Sequence, residues 1–282
     1  MDFMKRKLSA LLLALSLAAA LTTPAFATVE SECALPPLVF SVHYAYLQGY
    51  DDGTIRPQGN VTRAELATIF FRVLREDIRT DNWSTKNDFS DVSEDDWYNN
   101  AVSLLCNIDA LSGYADGTFQ PNAPVTRAEM AALAAKLNMR YGYNDQLLFP
   151  PFIAFTDIDG HWAQEYIRIA AYVSWVEGYE DSTYRPDALI TRAETAAMIN
   201  RLLGCAVESA DDLLPDILTW SDNTPNSWYY FEILQATNSH EYRGKETRVP
   251  GRFFHYEYWV MLLPNKDWSA LERPWSGPYL PH

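Results

Sequence analysis

Three segments of the chain share one spacing of apolar positions. The motif Thr-Arg-Ala-Glu opens each segment, at residues 62–65, 126–129 and 191–194. Residues at i, i+3, i+4 and i+7 then lie on one face of a helix. These residues are Leu66, Ile69, Phe70 and Val73; Met130, Leu133, Ala134 and Leu137; and Thr195, Met198, Ile199 and Leu202. A threonine followed three positions later by glutamate is the signature of a capping box. The pattern therefore predicts three amphipathic helices with capped amino termini.

A second helical pattern precedes the last two capped helices. Its apolar positions are Trp97, Ala101, Val102 and Leu105, and then Trp162, Tyr166, Ile167 and Ala170. Short leaders introduce both: Phe89-Ser90-Asp91-Val92 and Phe155-Thr156-Asp157-Ile158. A third leader, Trp220-Ser221-Asp222, precedes Trp228-Tyr229-Tyr230-Phe231. We predict a leading helix after each leader, with Trp97, Trp162 and Trp228 packed in the core.

A turn-rich loop joins each leading helix to its capped helix. The loops are Gly49–Pro57, Gly113–Pro121 and Gly178–Pro186, and each glycine lies 14 residues before the motif arginine. Arg63, Arg127 and Arg192 recur at intervals of 64 and 65 residues. The third loop departs from the others, because Ser182 replaces the turn glycine and Glu180 adds a carboxylate. We expect a positive φ at Ser182 and a distorted groove that is less favourable for an anion.

The repeat divides the chain. We predict repeat units at residues 38–76, 87–138 and 154–204, a half-unit at 218–240 and a terminal segment at 241–282. The first unit has no leading helix, since Pro36-Pro37 would interrupt one. We therefore expect residues 220–240 to pack against residues 47–74. Trp228 should then approach the Leu66–Val73 helix, as Trp97 approaches Met130–Leu137 and Trp162 approaches Met198–Leu202.

These motifs resemble those of the S-layer homology (SLH) family, over roughly residues 40 to 240. The resemblance rests on the Gly-Tyr-x-Asp-Gly-Thr loops, the Thr-Arg-Ala-Glu motifs and His161-Trp162-Ala163. It implies a mainly α fold, a pseudo-threefold, three-lobed helical prism. It also implies a secreted protein of a bacterial cell wall, which binds secondary cell-wall polysaccharide, often pyruvylated, in grooves between lobes. We further expect the protein to be monomeric and non-catalytic. The arginines that match the family's binding residue are Arg63, Arg127 and Arg192.

Local chemistry is compatible with that role. Capping occupies the threonine and glutamate, so we expect the arginine between them to be free to grip a planar carboxylate with two hydrogen bonds. The alternative is that each arginine bridges to a carboxylate in the next lobe. The glycines of the Gly-Tyr pairs would allow backbone to approach a sugar, and tyrosine or tryptophan rings could cover it. The remaining candidate ligand residues are Gly49, Tyr50, Gly113, Tyr114, Gly178, Tyr179, Trp97, Trp162 and Trp228.

Composition limits the kinds of molecule that the protein is expected to bind. The 282 residues include 22 basic and 37 acidic side chains, a net charge of −15, which argues against non-specific binding to nucleic acid or anionic lipid. Three cysteines, Cys33, Cys106 and Cys205, are too few for a disulfide scaffold, and we expect a buried thiol at Cys106.

No cofactor and no metal site is predicted. Asp51-Asp52-Gly53 lacks the distal glutamate of a calcium loop. His240-Glu241 has Gly244 where a metalloprotease helix needs its second histidine. The segment 75–87 has the polar composition of a linker, and no catalytic motif is recognised. Two other function classes stay open: an enzyme or enzyme subunit acting on wall glycans, and a self-assembling S-layer protein.

Both terminal regions have patterns of their own. Basic residues 5–7, the apolar run 8–21 and Ala25-Phe26-Ala27 predict a secretory signal peptide at residues 1–27, with a membrane anchor as the alternative. Near the other end, Val249-Pro250-Gly251 and the alternation from Phe254 to Trp259 predict a hairpin. An aromatic carbohydrate-binding strip is the alternative there.

Overall fold

The computed structural model describes residues 42–141, 155–252 and 254–268. Its helices are α1 (Arg63–Val73), α2 (Glu76–Asp81), α3 (Asn99–Asn107), α4 (Arg127–Tyr141), α5 (Gln164–Tyr172), α6 (Arg192–Leu203) and α7 (Tyr230–Thr237), with a 3₁₀ turn at Ala210–Asp212. Strands β1 (His240–Arg248) and β2 (His255–Leu262) form an antiparallel pair. The predicted mainly helical fold with a hairpin is therefore confirmed. The predicted signal peptide, Cys33 and residues 269–282 lie outside the described residues.

All three capping boxes are present. At α1, the Glu65 carboxylate accepts from the Thr62 backbone N–H at 2.8 Å, and Thr62 Oγ1 accepts from the Glu65 N–H at 3.3 Å. The same pair of bonds occurs at Thr126 and Glu129, and at Thr191 and Glu194.

The capped helices are nevertheless not amphipathic surface helices, because ten of the eleven residues of α1 are buried. Small side chains such as Ala64 and Ala67 allow neighbouring elements to pack against the faces of α1 that the apolar pattern does not predict to be buried.

The leading helices pack against different partners from those predicted. Helix α3 packs on α1, α5 on α4 and α7 on α6, so each lies against the capped helix that precedes it in the chain. The prediction that Trp228 approaches α1, and its counterparts for Trp97 and Trp162, is therefore wrong. The repeat spacing identified equivalent helices but carried no information on which pairs touch.

The three tryptophans are exposed, which contradicts their predicted core position. Trp97, Trp162 and Trp228 are 53%, 61% and 62% exposed. Each tryptophan lies two residues before its helix begins. It is therefore not part of the helix, and the helical spacing that relates it to buried positions does not determine where its side chain lies. Trp97 and Trp228 make edge contacts with the next residue, with ring centroids 5.3 and 5.4 Å apart.

Each leader binds a loop through one aspartate. The Asp91 carboxylate accepts from the backbone N–H groups of Phe119 and Gln120 at 2.7 and 2.8 Å. Asp157 binds the loop of the third repeat in the same way. Asp222 does so for the first loop, accepting from Ile55 and Arg56 at 2.9 and 2.8 Å.

Further backbone bonds join residues 43–47 to residues 236–240, including His43 N–H to the His240 carbonyl at 3.1 Å. The assignment of residues 218–240 to the first unit stays a prediction, as do the unit boundaries.

A closed ring of backbone hydrogen bonds links the three repeats. Val61 N–H donates to the Ile190 carbonyl at 3.1 Å, Val125 to Val61 at 2.9 Å, and Ile190 to Val125 at 2.9 Å. These residues immediately precede the three capping threonines, so the ring fixes the starts of α1, α4 and α6 relative to one another.

Three local expectations also need correction or refinement. The segment 75–87 contains helix α2, so it is not only a linker. Cys106 is half-buried rather than fully buried, and burial raises the pKa of its thiol to about 11. Strand β2 turns Glu257 and Trp259 inward, while Tyr256 is half-buried and Tyr258 is exposed, so the aromatic strip stays a prediction that excludes Trp259. None of the helices in the described ranges combines the length and the hydrophobicity that a bilayer-spanning segment needs.

Candidate functional site

The three motif arginines are buried and paired. Arg127 is 8% exposed; its Nε donates to the Tyr184 carbonyl at 2.9 Å, Nη1 to Glu194 at 3.0 Å and Nη2 to the Glu177 carbonyl at 3.0 Å. The equivalent carboxylate partners are Glu129 for Arg63 and Glu65 for Arg192, both at 3.1 Å. The expectation of a free arginine is therefore wrong. Every guanidinium bridges to the next repeat, and the third repeat bridges back to the first.

The motif tyrosines stack on these arginines. The guanidinium carbon lies 4.9 Å from the ring centre of Tyr114, 5.0 Å from Tyr179 and 5.2 Å from Tyr50. A second arginine covers two of the rings: Arg56 lies 3.7 Å from Tyr50, and Arg185 lies 3.8 Å from Tyr179. Gln120 replaces that arginine in the second loop, where Tyr114 is 41% exposed. Cation–π contact thus orients each tyrosine beside an arginine.

The glycines of the Gly-Tyr pairs accommodate protein rather than leaving space for a sugar. A Cβ added at Gly113 would overlap the Phe89 ring, and one at Gly178 would overlap Phe155. Trp220 covers Gly49 in the same way. The close approach that we attributed to a ligand is therefore made by the leader of each repeat, which needs a glycine beneath its aromatic ring.

The third loop keeps the conformation of the other two. Ser182 has φ +63°, against +76° at Gly53 and +81° at Gly117, so the positive φ is confirmed. The tyrosine-to-threonine backbone bond across the loop, Tyr179 to Thr183, is 2.8 Å, as it is in both other loops. The predicted distortion is therefore wrong: the serine adopts the glycine conformation.

A cavity of about 210 Å³ lies beside this loop. Four predicted site residues line it together: Arg127, Gly178, Tyr179 and Trp228. Glu177, Glu194 and Arg201 also line it. Helix α7 brings Trp228 to the cavity by packing on α6, which carries Glu194 and Arg201. The cavity thus combines an exposed indole face, a phenol and charged hydrogen-bonding groups in one groove, a combination suited to a saccharide.

Carboxylates balance the cations in this groove. Arg201 donates to Glu177 at 2.8 Å, and burial lowers the pKa of the Arg201 guanidinium. Arg252 also pairs with Glu177. The corresponding position in the first repeat is Gln48, which accepts from Arg72 at 3.3 Å, and in the second it is Ser112. The loop sequence draws attention to Glu180, whereas the importance of Glu177 becomes visible only when the three repeats are compared around the groove.

The S-layer homology domain model matches this chain at residues 43–67, 88–131 and 154–196. These ranges contain the three loops and the beginnings of the three capped helices.

Several bacterial proteins are similar to more than half of this chain. A "Cellulosome-anchoring protein" of Acetivibrio thermocellus is 34% identical over 211 residues, which are 73% of this chain and 46% of that protein. "Cell surface glycoprotein 1" of the same organism is 32% identical over 74% of this chain and 9% of its own length. An "Amylopullulanase" of Thermoanaerobacterium thermosulfurigenes is 31% identical over 56% of this chain and 8% of its own length. The chain spans less than half the length of these relatives. Together they indicate a bacterial cell-surface location, and the three matched ranges show that the chain belongs to the S-layer homology family.

Proposed function

We propose that this chain is a non-catalytic cell-surface anchor that binds a secondary cell-wall polysaccharide in grooves between its repeats. The observation that carries the proposal is the cavity in which Arg127, Tyr179 and Trp228 meet. A family match and relatives named for anchoring and for the cell surface support the same role. The proposal includes export, attachment to a bacterial wall as a monomer, and the three-lobed arrangement of the repeats.

The groove offers a sugar two kinds of contact. Trp228 is 62% exposed and presents an aromatic face against which the apolar side of a sugar ring can stack. Arg127 uses one N–H each of Nε, Nη1 and Nη2 within the protein. A guanidinium has five N–H groups, so two remain for an acceptor on the ligand. A pyruvyl carboxylate on the polysaccharide would suit them, because charge-assisted hydrogen bonds are the stronger ones.

The tryptophans provide the sharpest test because they are exposed and their removal should leave the fold intact. The variant Trp97→Ala/Trp162→Ala/Trp228→Ala should lose binding to purified wall polysaccharide in a sedimentation assay, by at least fivefold, about 1 kcal/mol. Tyr258→Ala, which removes an exposed aromatic ring of β2, is the control and should bind normally.

The same assay with depyruvylated polymer tests the ligand group, and retained affinity would exclude the pyruvyl contact. Unchanged binding by the triple tryptophan variant would refute the groove proposal. Shortening of the polymer during incubation would favour the enzyme alternative.

A further inference from the structure

Three buried polar side chains meet at a point away from the groove. His43 is 4% exposed, His240 0% and Glu257 1%. His43 Nδ1 lies 3.3 Å from His240 Nε2 and 3.4 Å from Glu257 Oε1, and His240 Nε2 lies 3.3 Å from the same Oε1. The three atoms therefore form a nearly equilateral triangle. Within the described residues, this is the group of histidine, cysteine and acidic side chains whose geometry could hold a metal ion.

The size of this triangle fits a metal site better than a cluster of charge-assisted hydrogen bonds. Charge-assisted N–H···O bonds are about 2.7–2.9 Å long, shorter than either histidine–carboxylate distance here. Ligand atoms about 2.0–2.1 Å from one tetrahedral Zn²⁺ lie about 3.3–3.4 Å apart. The observed separations agree with the second geometry. One proton shared among three atoms cannot provide all three contacts, whereas one cation can.

The surrounding residues orient the donor atoms. His240 Nδ1 lies 2.9 Å from the Asn238 carbonyl, which can only accept, so Nδ1 carries the proton and the Nε2 lone pair points to the other two groups. Such a bond on the far ring nitrogen is usual for a histidine that ligates a metal. The His240 ring also stacks on Trp259, with ring centres 3.9 Å apart.

A hydrogen bond positions the Glu257 carboxylate, and ring stacking positions His43. Gln235 Nε2 donates to Glu257 Oε1 at 3.1 Å, and Trp259 Nε1 donates to Gln235 at 3.1 Å. The His43 ring stacks on Tyr242 at 4.3 Å between ring centres. The backbones of His43 and His240 pair as an antiparallel bridge, which places their side chains next to each other. Glu257 Oε2 has no hydrogen-bond partner within the described part of the chain, so the carboxylate has capacity to coordinate.

We propose that His43, His240 and Glu257 bind one Zn²⁺ ion, with a water molecule as the fourth ligand. Two imidazole nitrogens and one carboxylate oxygen in a tetrahedral arrangement suit zinc, whereas Ca²⁺ and Mg²⁺ need more oxygen ligands. The ligands come from the segment before the first loop and from both strands of the hairpin. The ion therefore joins the hairpin to the first repeat.

The test uses the full chain without an affinity tag, purified from zinc-containing medium in the absence of chelators. Mass spectrometry of the metal content should find one zinc per chain. Removing the ion with a chelator should lower the melting temperature by roughly 5–10 °C, and adding zinc back should restore it. Co²⁺ added to the stripped protein should give the visible absorption of tetrahedral cobalt and lose it when zinc is added.

Two variants and a control identify the ligands. Glu257→Gln and His240→Gln should retain less than about a tenth of the bound zinc and lose the melting shift, since a weakened ligand set binds at least tenfold less tightly. His255→Gln removes an exposed histidine of the same hairpin and should keep both. If Glu257→Gln or His240→Gln fails to fold, the cobalt spectrum of the unaltered protein still shows whether a tetrahedral metal site is present. No metal uptake by the unaltered chain, or equal uptake by Glu257→Gln and His240→Gln, would overturn the proposal.

Discussion

Replacing Arg127 by alanine tests whether the motif arginine is a structural bridge. The substitution removes one buried cation, and three acceptors lose the guanidinium as a donor: the Tyr184 carbonyl, the Glu177 carbonyl and the Glu194 carboxylate. Glu194 keeps the Tyr179 hydroxyl as a donor at 3.2 Å. The arginine side chain is 10% exposed and the glutamate 21%, so water can solvate the abandoned carboxylate only in part. We therefore expect a loss of stability and not only a loss of ligand binding.

The size of the effect follows from burial. Removing one partner of a buried ion pair costs about 3–5 kcal/mol. Because Glu194 keeps about a fifth of its exposure, we take the lower limit, about 3 kcal/mol. At about 2–4 °C per kcal/mol for a chain of this size, the melting temperature should fall by roughly 6–12 °C.

Differential scanning calorimetry of the two proteins measures the difference. Arg185→Ala is the matched control: this arginine also stacks on Tyr179, but it pairs at 3.0 Å with Asp181 at the surface, where the two side chains are 50% and 54% exposed. It should cost less than about 1 kcal/mol. An Arg127→Ala protein that melts within 2 °C of the parent, by the same conversion less than about 1 kcal/mol, would show that the bridge contributes little to stability.

Three further predictions concern the loops and the groove. Glu177→Gln should raise the affinity for an anionic wall polymer about fivefold, roughly 1 kcal/mol, because it removes a carboxylate that the other two repeats lack. Titration calorimetry measures this affinity, and an unchanged value would argue against binding of an anionic group in this groove. Ser182→Gly should stabilise the protein by about 1 kcal/mol in urea unfolding, since glycine adopts the observed φ of +63° without strain; a midpoint that does not rise would contradict this. Gly113→Ala should destabilise it by about 2–3 kcal/mol in the same assay, because the added methyl group overlaps the Phe89 ring, whereas Gly244→Ala, which meets nothing within 4 Å, should be tolerated.

Local chemistry explains which parts of the fold were predictable. A capping box is complete within four residues, so Thr62 and Glu65 identify the start of α1 from the sequence alone. The positive φ at Ser182 follows from its place in a repeated turn. The leader aspartates and their aromatic neighbours were visible as a pattern, although their partners, the loop N–H groups and glycines, were not.

Contacts between distant residues explain what was missed. The Arg63–Glu129 and Arg192–Glu65 pairs span 66 and 127 positions, and only the assembled ring brings them together. His43 and His240 are 197 positions apart and carry no recognisable metal-binding spacing. For Trp228 the apolar pattern correctly predicted a helix but placed its start too early. Helix α7 begins at Tyr230, so the Trp228 indole lies before the helix.

The ring of repeats has a consequence for how the protein is made. When only the first two capped helices have been synthesised, Glu65 has no Arg192 to pair with. The backbone hydrogen bond from Val61 to Ile190 cannot form either. The first loop also lacks the Asp222 carboxylate that accepts its two backbone hydrogen bonds, until residue 222 has been synthesised. Closure over such long sequence separations is slow, because loop entropy is lost before the contacts form. Folding should therefore be a late and cooperative event, and chains interrupted during synthesis should remain open to proteases rather than accumulate as folded fragments.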